Sequence, residues 1–504
     1  EYRPELDGLR ALAVLPVLLF HAEFSIFSGG FVGVDVFFVI SGYLITGIIY
    51  REIVEDRFSL FHFFERRARR ILPALFLVCI VSLPFAWLWL IPSDLADFAR
   101  SLVAVNVFAS NIFFWQESGY FARAAEFQPL LHTWSLAVEE QFYILFPVFL
   151  LAVARLGRRM LVVVLGAGVL LSLGLAEWGA RNHPTANFFL LPTRAWELGV
   201  GALLAVGWHG RPRPSGRPAS IAALLGLTMI GYACVAFDGS VYFPSLWTLL
   251  PVGGAALVIV GAGPHNSVGR FLRLRPILGI GLLSYSLYLW HQPVFVFTRL
   301  RLQGDPGPFG YLALIALCFG LAYLSWRYVE MPFRRGRIPT RGVVGAAVVT
   351  ASALVAVAGG THMTGGLPGR ASERVAQIAA WQNRSADYLK PVDARYCNEA
   401  EAGFLPPSVK KDNCLVRGEG ARPNIFVWGD SHARALGFAL PRHLERYKLA
   451  RISKAQCAAV PDVEFKPHTN RCAEFNRAFL SHMASRSEHD IVIVSSRWSL
   501  YMTG

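Results

Sequence analysis

Charged residues are scarce in this sequence: they make up 16% of its 504 positions, whereas hydrophobic residues make up 54%. The mean hydropathy of +0.42 is correspondingly high. An ordinary soluble protein has about a quarter of its residues charged, so the scarcity excludes that class and favours a membrane protein. The histidines also lack the spacing from cysteines or carboxylates that metal ligands have, and we expect no metal site.

The chain carries a net charge of +14, and its arginines cluster in short segments between apolar runs. Such clusters orient membrane helices, because basic loops remain in the cytoplasm, and this pattern argues against a nucleic-acid partner. We therefore expect the basic segments to be cytoplasmic. They are Arg51–Arg70, Arg155–Arg159, His209–Pro218, His265–Pro276 and Arg327–Arg341.

Apolar stretches of about 20 residues, enough to cross a bilayer as a helix, recur through the N-terminal part of the chain. A further stretch at 95–115 contains Arg100, Asn106 and Asn111. Because an even number of crossings must separate the first two basic segments, we interpret 95–115 as re-entrant or interfacial. About eleven membrane-spanning helices are then predicted. They are expected at 9–28, 31–50, 71–91, 133–154, 160–178, 190–208, 219–237, 245–262, 277–298, 309–329 and 343–360.

This assignment predicts a cytoplasmic N-terminus and places the chain after Thr361 on the outer side of the membrane. A polar, glycine-containing linker over 363–389 then leads to a soluble domain at 390–504. The cysteines of that domain are even in number, which permits two disulfides in an oxidising compartment. The sequence-local pairing joins Cys397 to Cys414 and Cys457 to Cys472.

Ionisable residues inside the predicted spans are costly to bury and are therefore candidates for function. Arg10 and His21 are separated by ten residues in the first span, so they share a helix face and lie about 16 Å apart along its axis. In isolation, an interfacial arginine and a core histidine with a satisfied hydrogen bond would also explain this pair. Asp35 adds an acid to the aromatic, small-residue helix of the second span.

The fourth span begins with a polar group of residues. His132, Glu139 and Tyr143 project from nearly one face of the predicted helix. Glu140, next to Glu139, is expected to be an exposed acid at the helix start, where the helix dipole favours negative charge. Two adjacent carboxylates entering a bilayer are difficult to explain by packing, and Glu139 is the stronger candidate.

Three more polar residues lie near the ends of later spans. Tyr288 belongs to an aromatic run of the ninth span that would alone be an interfacial belt, and His291 adds a second histidine in the outer half of the membrane. Glu330, at the cytoplasmic end of the tenth span, either contributes to the pore or simply pairs with nearby arginines.

A dense basic run precedes the third span and includes Arg66, Arg69 and Arg70. Membrane orientation alone explains such a run as well as any function does. The functional interpretation is that these guanidinium groups hold the phosphates of a nucleotide-containing donor, because arginine binds phosphate in a bidentate manner.

In the soluble domain, an apolar strand beginning at Asn424 runs directly into Gly429, Asp430, Ser431 and His432 and then into a helix-like segment. This arrangement is typical of a chain that presents a nucleophilic serine.

Six motifs in residues 1–340 resemble, in the same order, those of the acyltransferase-3 family of bacterial membrane acyltransferases. The domain from residue 390 resembles the SGNH hydrolase-like domain fused to one branch of that family. Members of that branch O-acetylate lipopolysaccharide O-antigen and related surface glycans, and they use an additional span, here 341–362, to place the SGNH domain outside. The motifs are Arg10 with His21, FFVISGYLIT, RRARRILPA, QPLLHTWSLAVEEQFY, YSLYLWHQP and YVEMPFR.

The resemblance implies an O-acetyltransferase of the bacterial inner membrane that moves acetyl from cytoplasmic acetyl-CoA to a sugar hydroxyl on the periplasmic side. His21, with Arg10, would deprotonate the acceptor or receive the acyl group. Arginines 66, 69 and 70 would hold the coenzyme A phosphates. Direct transfer and a covalent carrier both stay open. The resemblance implies that Glu139, Tyr288 and His291 line the outer part of the pore, and Glu139 is also a catalytic candidate. Asp35, His132 and Glu330 are further candidates for the pore or the acceptor site.

For the SGNH domain, the resemblance makes Ser431 the nucleophile and its backbone N–H part of the oxyanion hole. Arg497 stands roughly where the family has an asparagine, a departure from the usual oxyanion hole. The resemblance also implies a downstream Asp-x-x-His that completes the triad, but no aspartate of the domain has a histidine three positions later. This absence fits either a domain cut short or a degenerate one. The apolar strand at 490–496, so close to the last residue, favours a domain that is incomplete at its C-terminus.

The sequence thus predicts an α-helical polytopic membrane domain followed by an α/β SGNH-hydrolase-like domain. The proposed partners are acetyl-CoA, membrane lipid and a lipid-linked glycan or O-antigen acceptor. Two other classes of function fit the same sequence. The membrane part could transport a lipid-linked or acylated substrate, and the soluble domain could be a glycan-binding or esterase module.

Overall fold

The computed structural model describes most of the chain up to residue 370 and several elements beyond it. These residues belong to two compact units, Glu1–Ala371 and Ser372–Gly504, each of which is described by itself. The described residues are 2–118, 127–212, 214–302, 304–336, 338–370, 414–416, 424–429, 448–453, 459, 472–484 and 491–495.

The first unit is helical, because a helix satisfies its own backbone N–H and C=O groups where water is absent. A π-helical turn, Ser325–Glu330, interrupts the regular geometry between two of its helices. The helices are α1 (Pro4–His21), α2 (Gly33–Val54), α3 (Leu60–Trp89), α4 (Pro92–Asn106), α5 (Ser110–Glu117), α6 (Thr133–Ala154), α7 (Arg158–Asn182), α8 (Pro184–Phe189), α9 (Leu191–Gly207), α10 (Gly216–Ala236), α11 (Leu249–Gly261), α12 (Ser267–Leu272), α13 (Arg275–Leu302), α14 (Gly307–Leu324), α15 (Met331–Arg334) and α16 (Thr340–Met363).

Within the described residues, 8 helical segments are long and apolar enough to cross a membrane, where the sequence predicted about eleven spans. The three other predicted spans are helical too. They are shorter or less apolar than the eight: charged side chains occupy the first turns of α1, α11 has only 13 residues, and the continuous helix α13 contains a segment rich in polar side chains from Tyr285 to Gln292. The eight segments are Gly30–Val54, Leu60–Trp89, Thr133–Ala154, Arg158–Asn182, Pro184–Gly207, Gly216–Ala236, Gly307–Arg334 and Thr340–Met363.

The stretch at 95–115 forms two short helices, α4 and α5, rather than one long helix. The chain turns between them at Phe108, which has a φ of 52°. At 1.5 Å per residue, the 15 residues of α4 reach about 22 Å, less than the roughly 30 Å thickness of the hydrocarbon layer. The structure therefore agrees with the interpretation that this stretch does not cross the membrane.

Helix α13 packs closely on α1, and helix α2 packs closely on α9, because a glycine lies at each of these two contacts. A Cβ atom on Gly281 of α13 would lie 1.8 Å from the carbonyl oxygen of Asp7 in α1. A Cβ atom on Gly42 of α2 would lie 1.9 Å from the carbonyl oxygen of Leu198 in α9. Any larger residue would push these helices apart, so both glycines set the positions of the polar residues described below.

The second unit contains a four-stranded sheet and one described helix, α17 (Cys472–Ala484). The strand order is β1-β3-β2-β4, with β2 parallel to both neighbours and β1 antiparallel at the edge. Apolar side chains bury β2, as expected for a central parallel strand. The predicted class, a helical membrane unit followed by an α/β domain, is confirmed. The strands are β1 (Cys414–Val416), β2 (Asn424–Gly429), β3 (Lys448–Ser453) and β4 (Ile491–Ser495).

Candidate functional site

Three histidine rings meet at the end of α1. The centroid of the His21 ring lies 5.0 Å from that of His291 on α13, and the His132 ring, just before α6, lies 5.5 Å from His291. The Tyr288 ring has its centroid 5.5 Å from that of His132 and 5.3 Å from that of His291. The structure thus brings together candidates from three separate motifs, and we call these residues the histidine cluster.

Hydrogen bonds to backbone carbonyls set the tautomer of two of these rings. Nδ1 of His21 lies 2.9 Å from the oxygen of Val17, and Nδ1 of His291 lies 2.6 Å from the oxygen of Tyr288. A carbonyl oxygen only accepts, so in each neutral ring Nδ1 carries the hydrogen and Nε2 keeps its lone pair. Nε2 of His291 is buried without a hydrogen-bond partner in the described part of the chain. Free acceptor nitrogens are what a proton or acyl carrier requires.

A cavity of about 260 Å³, the central cavity, lies beside the histidine cluster. Tyr288 connects the two: it lines the cavity, and its hydroxyl group donates to the oxygen of His132 at 2.9 Å and shares a 2.7 Å hydrogen bond with Ser135. The other walls are mainly apolar side chains of α2. The polar lining consists of Arg10, Ser41, Arg67, Arg70, Ser135, Glu139, Tyr143, Ser284, Tyr285 and Tyr288.

A second cavity, of about 640 Å³, opens beside the first, and we call it the basic vestibule. Arg10, Leu44, Ile48 and Arg70 line both cavities, so the two are adjacent. The charged lining of the vestibule is strongly positive, with Asp7 as its only carboxylate among the described residues. Such a surface attracts an anionic ligand. The arginines that line it are Arg3, Arg10, Arg51, Arg70, Arg211 and Arg334.

The structure separates the arginines of the predicted phosphate-binding run. Arg70 lines both cavities, and its side chain makes no hydrogen bond to any described residue. Arg69 lines neither cavity. Its guanidinium group donates to Glu65 at 2.8 Å and to the backbone oxygen of Ile338 at 2.7 Å, so it fastens α3 to the start of α16. The suggestion that Arg69 holds a donor phosphate therefore gains no support from its position.

The other members of the run also differ from expectation. Arg66 is exposed and forms an ion pair with Glu52 at 2.9 Å, outside both cavities. Arg67, which the sequence reasoning did not select, lines the central cavity and lies over the Tyr143 ring, with 6.0 Å between the guanidinium carbon and the ring centroid. Consecutive arginines point in different directions on a helix, and only the packing of α3 decides which of them face the cavity.

The two acidic residues of α6 have different surroundings. Glu139 lines the central cavity and accepts a 2.6 Å hydrogen bond from the hydroxyl group of Ser41. Glu140 was expected to be an exposed acid at the helix start, and this expectation is wrong: it is 7% exposed, and its Oε1 atom lacks a hydrogen-bond partner in the described structure. The error arises because α6 starts inside the unit rather than at its surface.

Asp35 does not line either cavity but belongs to a buried ionic group. Arg194 donates to Asp35 at 2.9 Å and to Glu197 at 2.8 Å, and all three side chains are at most 1% exposed. Four aromatic rings surround the guanidinium group, at 5.3 to 5.7 Å from its carbon to their centroids. The sequence reasoning missed Arg194, although a charged residue inside a predicted span is the signal that identified Asp35.

Glu330, the last residue of the π-helical turn, is also buried, at 2% exposure. Its carboxylate accepts a short hydrogen bond from Ser286 of α13 and lies 3.9 Å from the guanidinium group of Arg334. Because Arg334 lines the basic vestibule, Glu330 acts on the vestibule through this ion pair rather than by lining a cavity itself. π-helical turns often occur at functional sites because they redirect individual side chains.

In the second unit, Ser431, His432 and Arg497 lie outside the described residues, so their predicted roles stay predictions. The strands that precede two of them are described. Gly429 at the end of β2 pairs with Ser495 at the end of β4. In parallel sheets, ligands bind beyond the carboxyl ends of the strands at the point where strand order reverses. Ser431 and Arg497 each follow one of these paired residues by two positions.

The predicted disulfides are not tested. Cys397 and Cys457 lie outside the described residues, and for Cys414 and Cys472 only the backbone elements β1 and α17 are described. In the first unit, Cys79, Cys234 and Cys318 are free thiols buried in helices α3, α10 and α14. All three lie inside the predicted spans 71–91, 219–237 and 309–329.

Comparison with known families finds two matches. The acyltransferase domain matches residues 3–327, and the SGNH domain, described as fused to acyltransferase-3 domains, matches residues 396–504. No solved structure matches the chain.

Several curated proteins are similar to this chain. The chain is 34% identical over 356 residues to the O-acetyltransferase OatA of Staphylococcus aureus (strain NCTC 8325 / PS 47), a match that covers 66% of this chain and 57% of the relative. It is 36% identical to the putative peptidoglycan O-acetyltransferase YrhL of Bacillus subtilis, covering 66% of this chain and 55% of the relative. It is 31% identical to the peptidoglycan O-acetyltransferase OatA of Listeria monocytogenes, with coverage of 66% and 56%. The matches thus span little more than half of these relatives.

Proposed function

We infer the function of this chain from the premise that it belongs to the acyltransferase-3 family, whose domain its residues 3–327 match. The function that best fits the site is transfer of an acetyl group from acetyl-CoA to a hydroxyl group of a surface glycan. The donor would bind on the cytoplasmic side of the inner membrane, and the glycan would be modified on the periplasmic side. The named relatives, each an O-acetyltransferase, support the reaction class.

One observation carries this proposal: the central cavity joins a cluster of arginines to a cluster of histidines. Arg10 and Arg70 are shared with the basic vestibule, and Tyr288 is shared with the histidine cluster. An anionic nucleotide suits the vestibule, because arginine binds phosphate groups through charge-assisted hydrogen bonds. The thioester arm of the same donor then extends into the apolar central cavity, towards the histidines.

At the histidine cluster, His21 is proposed as the base. Because Nδ1 is held by the oxygen of Val17, Nε2 has the lone pair that accepts the proton of the acceptor hydroxyl group. The acceptor oxygen forms a bond to the acetyl carbonyl carbon, and the carbon–sulfur bond of the thioester breaks. The proton held by Nε2 then passes to the departing coenzyme A thiolate. Atoms and charge balance without a metal or a redox step.

The acceptor hydroxyl group belongs either to the glycan itself or to Ser431, which would carry the acetyl group to the glycan. The second route gives the SGNH domain the final transfer and accounts for its fusion to the membrane unit. The position of Ser431 after the central strand β2 suits a nucleophile. Arg497, two residues after β4, is the candidate partner of Ser431 in stabilising the oxyanion.

The glycan is proposed to be a cell-surface polysaccharide. The resemblance of the motifs pointed to lipopolysaccharide O-antigen, whereas two of the named relatives act, by their names, on peptidoglycan. Peptidoglycan is therefore the first acceptor to test and O-antigen the second. Both lie outside the inner membrane and present sugar hydroxyl groups, so the same membrane chemistry serves either.

The test uses full-length protein in proteoliposomes that contain acetyl-CoA with a labelled acetyl group. We expect label to reach a peptidoglycan fragment or an O-antigen oligosaccharide, and we expect none to reach it with His21→Ala. If neither glycan nor protein acquires label, while a lipid-linked glycan crosses the membrane, the protein is a transporter and the proposal is wrong.

A further inference from the structure

The buried guanidinium group of Arg299, in α13, reaches the end of α1. One of its nitrogens, Nη2, donates to the backbone oxygen of His21 at 2.7 Å and to the carboxylate of Glu23 at 2.8 Å. Its Nε donates to the hydroxyl oxygen of Tyr311 in α14 at 2.7 Å. Three helices therefore converge on one side chain, which is only 8% exposed.

The last carbonyl groups of α1 explain why this contact matters. A helix leaves its final four carbonyl oxygens without partners inside the helix. Here the backbone N–H groups of Ala22, Phe24 and Glu23 donate to the oxygens of the three residues Leu18, Leu19 and Phe20 respectively. The oxygen of His21 receives no backbone donor among the described residues, and Arg299 supplies its hydrogen bond.

The surroundings of Arg299 hold its guanidinium group in one place. Glu23 has a φ of 61°, a left-handed conformation that turns the chain sharply after α1. This turn brings the Glu23 carboxylate to the same guanidinium nitrogen that binds His21. The Tyr311 ring lies beneath the guanidinium group, with 5.4 Å from its carbon to the ring centroid. A cation is also favourable at this point, because the carboxyl end of a helix carries partial negative charge.

We propose that Arg299 is a positioning residue for His21: by bonding the His21 carbonyl group and Glu23, it fixes the end of α1 and so aims the imidazole at the histidine cluster. The inference rests on the proposed role of His21 as the base. Arg299 itself does not line either cavity and does not bind the donor. Its loss would displace the base without altering the vestibule.

Arg299→Lys is the informative variant, because lysine keeps the positive charge but loses the planar fork in which Nε binds Tyr311 while Nη2 binds His21 and Glu23. A displacement of about 1 Å at a reacting group costs about 100-fold in rate, so we expect kcat for coenzyme A release from acetyl-CoA to fall by about 10- to 100-fold. KM for acetyl-CoA should stay within about 2-fold, because the vestibule is unchanged. Arg301→Lys, an exposed position two residues later on the same helix, is the matched control and should behave as the parent protein.

A second readout does not depend on turnover. Diethyl pyrocarbonate modifies accessible imidazole groups, and mass spectrometry of peptides reports the rate for each histidine. In Arg299→Lys, we expect His21 to react several-fold faster, whereas His132 and His291, which are held by α6 and α13, keep their rates. These two buried histidines are internal controls against general loosening of the fold.

The outcomes separate this inference from the proposed function. If His21→Ala abolishes coenzyme A release and Arg299→Lys leaves kcat unchanged, the positioning role is wrong and the proposed base stands. If all three histidines react faster together, Arg299 supports the fold in general and the inference is equally wrong. If His21→Ala retains full activity, the proposed function itself fails. Should Arg299→Lys not accumulate in membranes, Tyr311→Phe removes one partner of Arg299 and should give the same pattern with a smaller change.

Discussion

The imidazole rings of His21 and His291 lie with their centroids 5.0 Å apart, although they belong to helices α1 and α13, which are far apart in the sequence. Their proximity depends on how closely α1 and α13 approach each other. That approach is set at the opposite end of α1, where the backbone of Gly281 lies against the carbonyl oxygen of Asp7. A single glycine thus controls the distance between two candidate residues far from it.

Replacement of Gly281 by alanine should separate the two helices. The new Cβ atom would lie 1.8 Å from the oxygen of Asp7, a contact that only a backbone shift relieves. We expect a loss of stability of about 1–3 kcal/mol, as for other overpacked sites, and a marked fall in acetyl transfer. Thermal unfolding in detergent and coenzyme A release from acetyl-CoA measure the two effects.

Gly279→Ala is the matched control for this experiment. It lies on the same helix, and nothing would lie within 4 Å of its Cβ atom. Alanine stabilises a helix by about 1 kcal/mol relative to glycine, so this variant should be as stable as the parent or slightly more stable. If both replacements reduced stability and acetyl transfer equally, the contact with Asp7 would not be the cause of the effect.

Arg70 should contribute to binding of the donor. Arg70→Gln removes a guanidinium group that lines both cavities, and a hydrogen bond to a charged group is worth about 1.5–3 kcal/mol. We expect KM for acetyl-CoA to rise by about 10- to 100-fold. Arg66→Gln, in the same basic run but paired with Glu52 outside the cavities, should leave KM unchanged. If Arg66→Gln raised KM more than Arg70→Gln did, the vestibule would not be the binding site of the donor.

Arg194 should be important for stability. Arg194→Met leaves the carboxylates of Asp35 and Glu197 buried without their cation, and removal of one partner from a buried ion pair costs about 3–5 kcal/mol. We expect a large drop in the unfolding temperature or failure to accumulate in membranes. Arg181→Met is the control, because its ion pair with Glu177 is exposed and should have little effect. Combining Arg194→Met with neutral replacements of both acids should restore part of the loss.

Ser431 should be required for the complete reaction if the SGNH domain carries out the final transfer. With Ser431→Ala in the full-length protein, we expect acetylation of the glycan to be lost, as with His21→Ala. The two variants differ in the step that they remove: His21→Ala removes the base, so label from acetyl-CoA should not reach Ser431, whereas Ser431→Ala keeps the base and removes the hydroxyl group that accepts the label. If the Ser431→Ala variant acetylates the glycan normally, the second unit does not take part in the reaction.

The sequence predicted much of the architecture because the relevant signals are local. Apolar runs of the right length identified the helices, and polar residues within them identified His21, His132, Glu139 and His291 as candidates. Eight of the eleven predicted spans meet the criteria of length and apolar composition, and the other three are helical without meeting them. Helices α1 and α13 carry the charges and polar groups of the site itself, so the residues that make them functional also make them weak hydropathy signals.

The site was harder to predict, because neighbouring positions on a helix face different surroundings. Arg69 and Arg70 are indistinguishable in sequence, yet one fastens α3 to the start of α16 and the other lines both cavities. The burial of Glu140 likewise could not be predicted from the neighbouring sequence, since it depends on the elements that pack around the start of α6.

What the sequence determined by itself is the chemical inventory and its order along the chain: a helical membrane unit with particular arginines, histidines and acids, and a strand that leads into a serine motif. The tertiary structure alone decided which of them meet. His21, His132 and His291 come together, Arg194 pairs with Asp35, and Arg299 supports the end of α1. The physical reason is that composition and helix periodicity are properties of short segments, whereas contacts between helices depend on close packing over the whole unit.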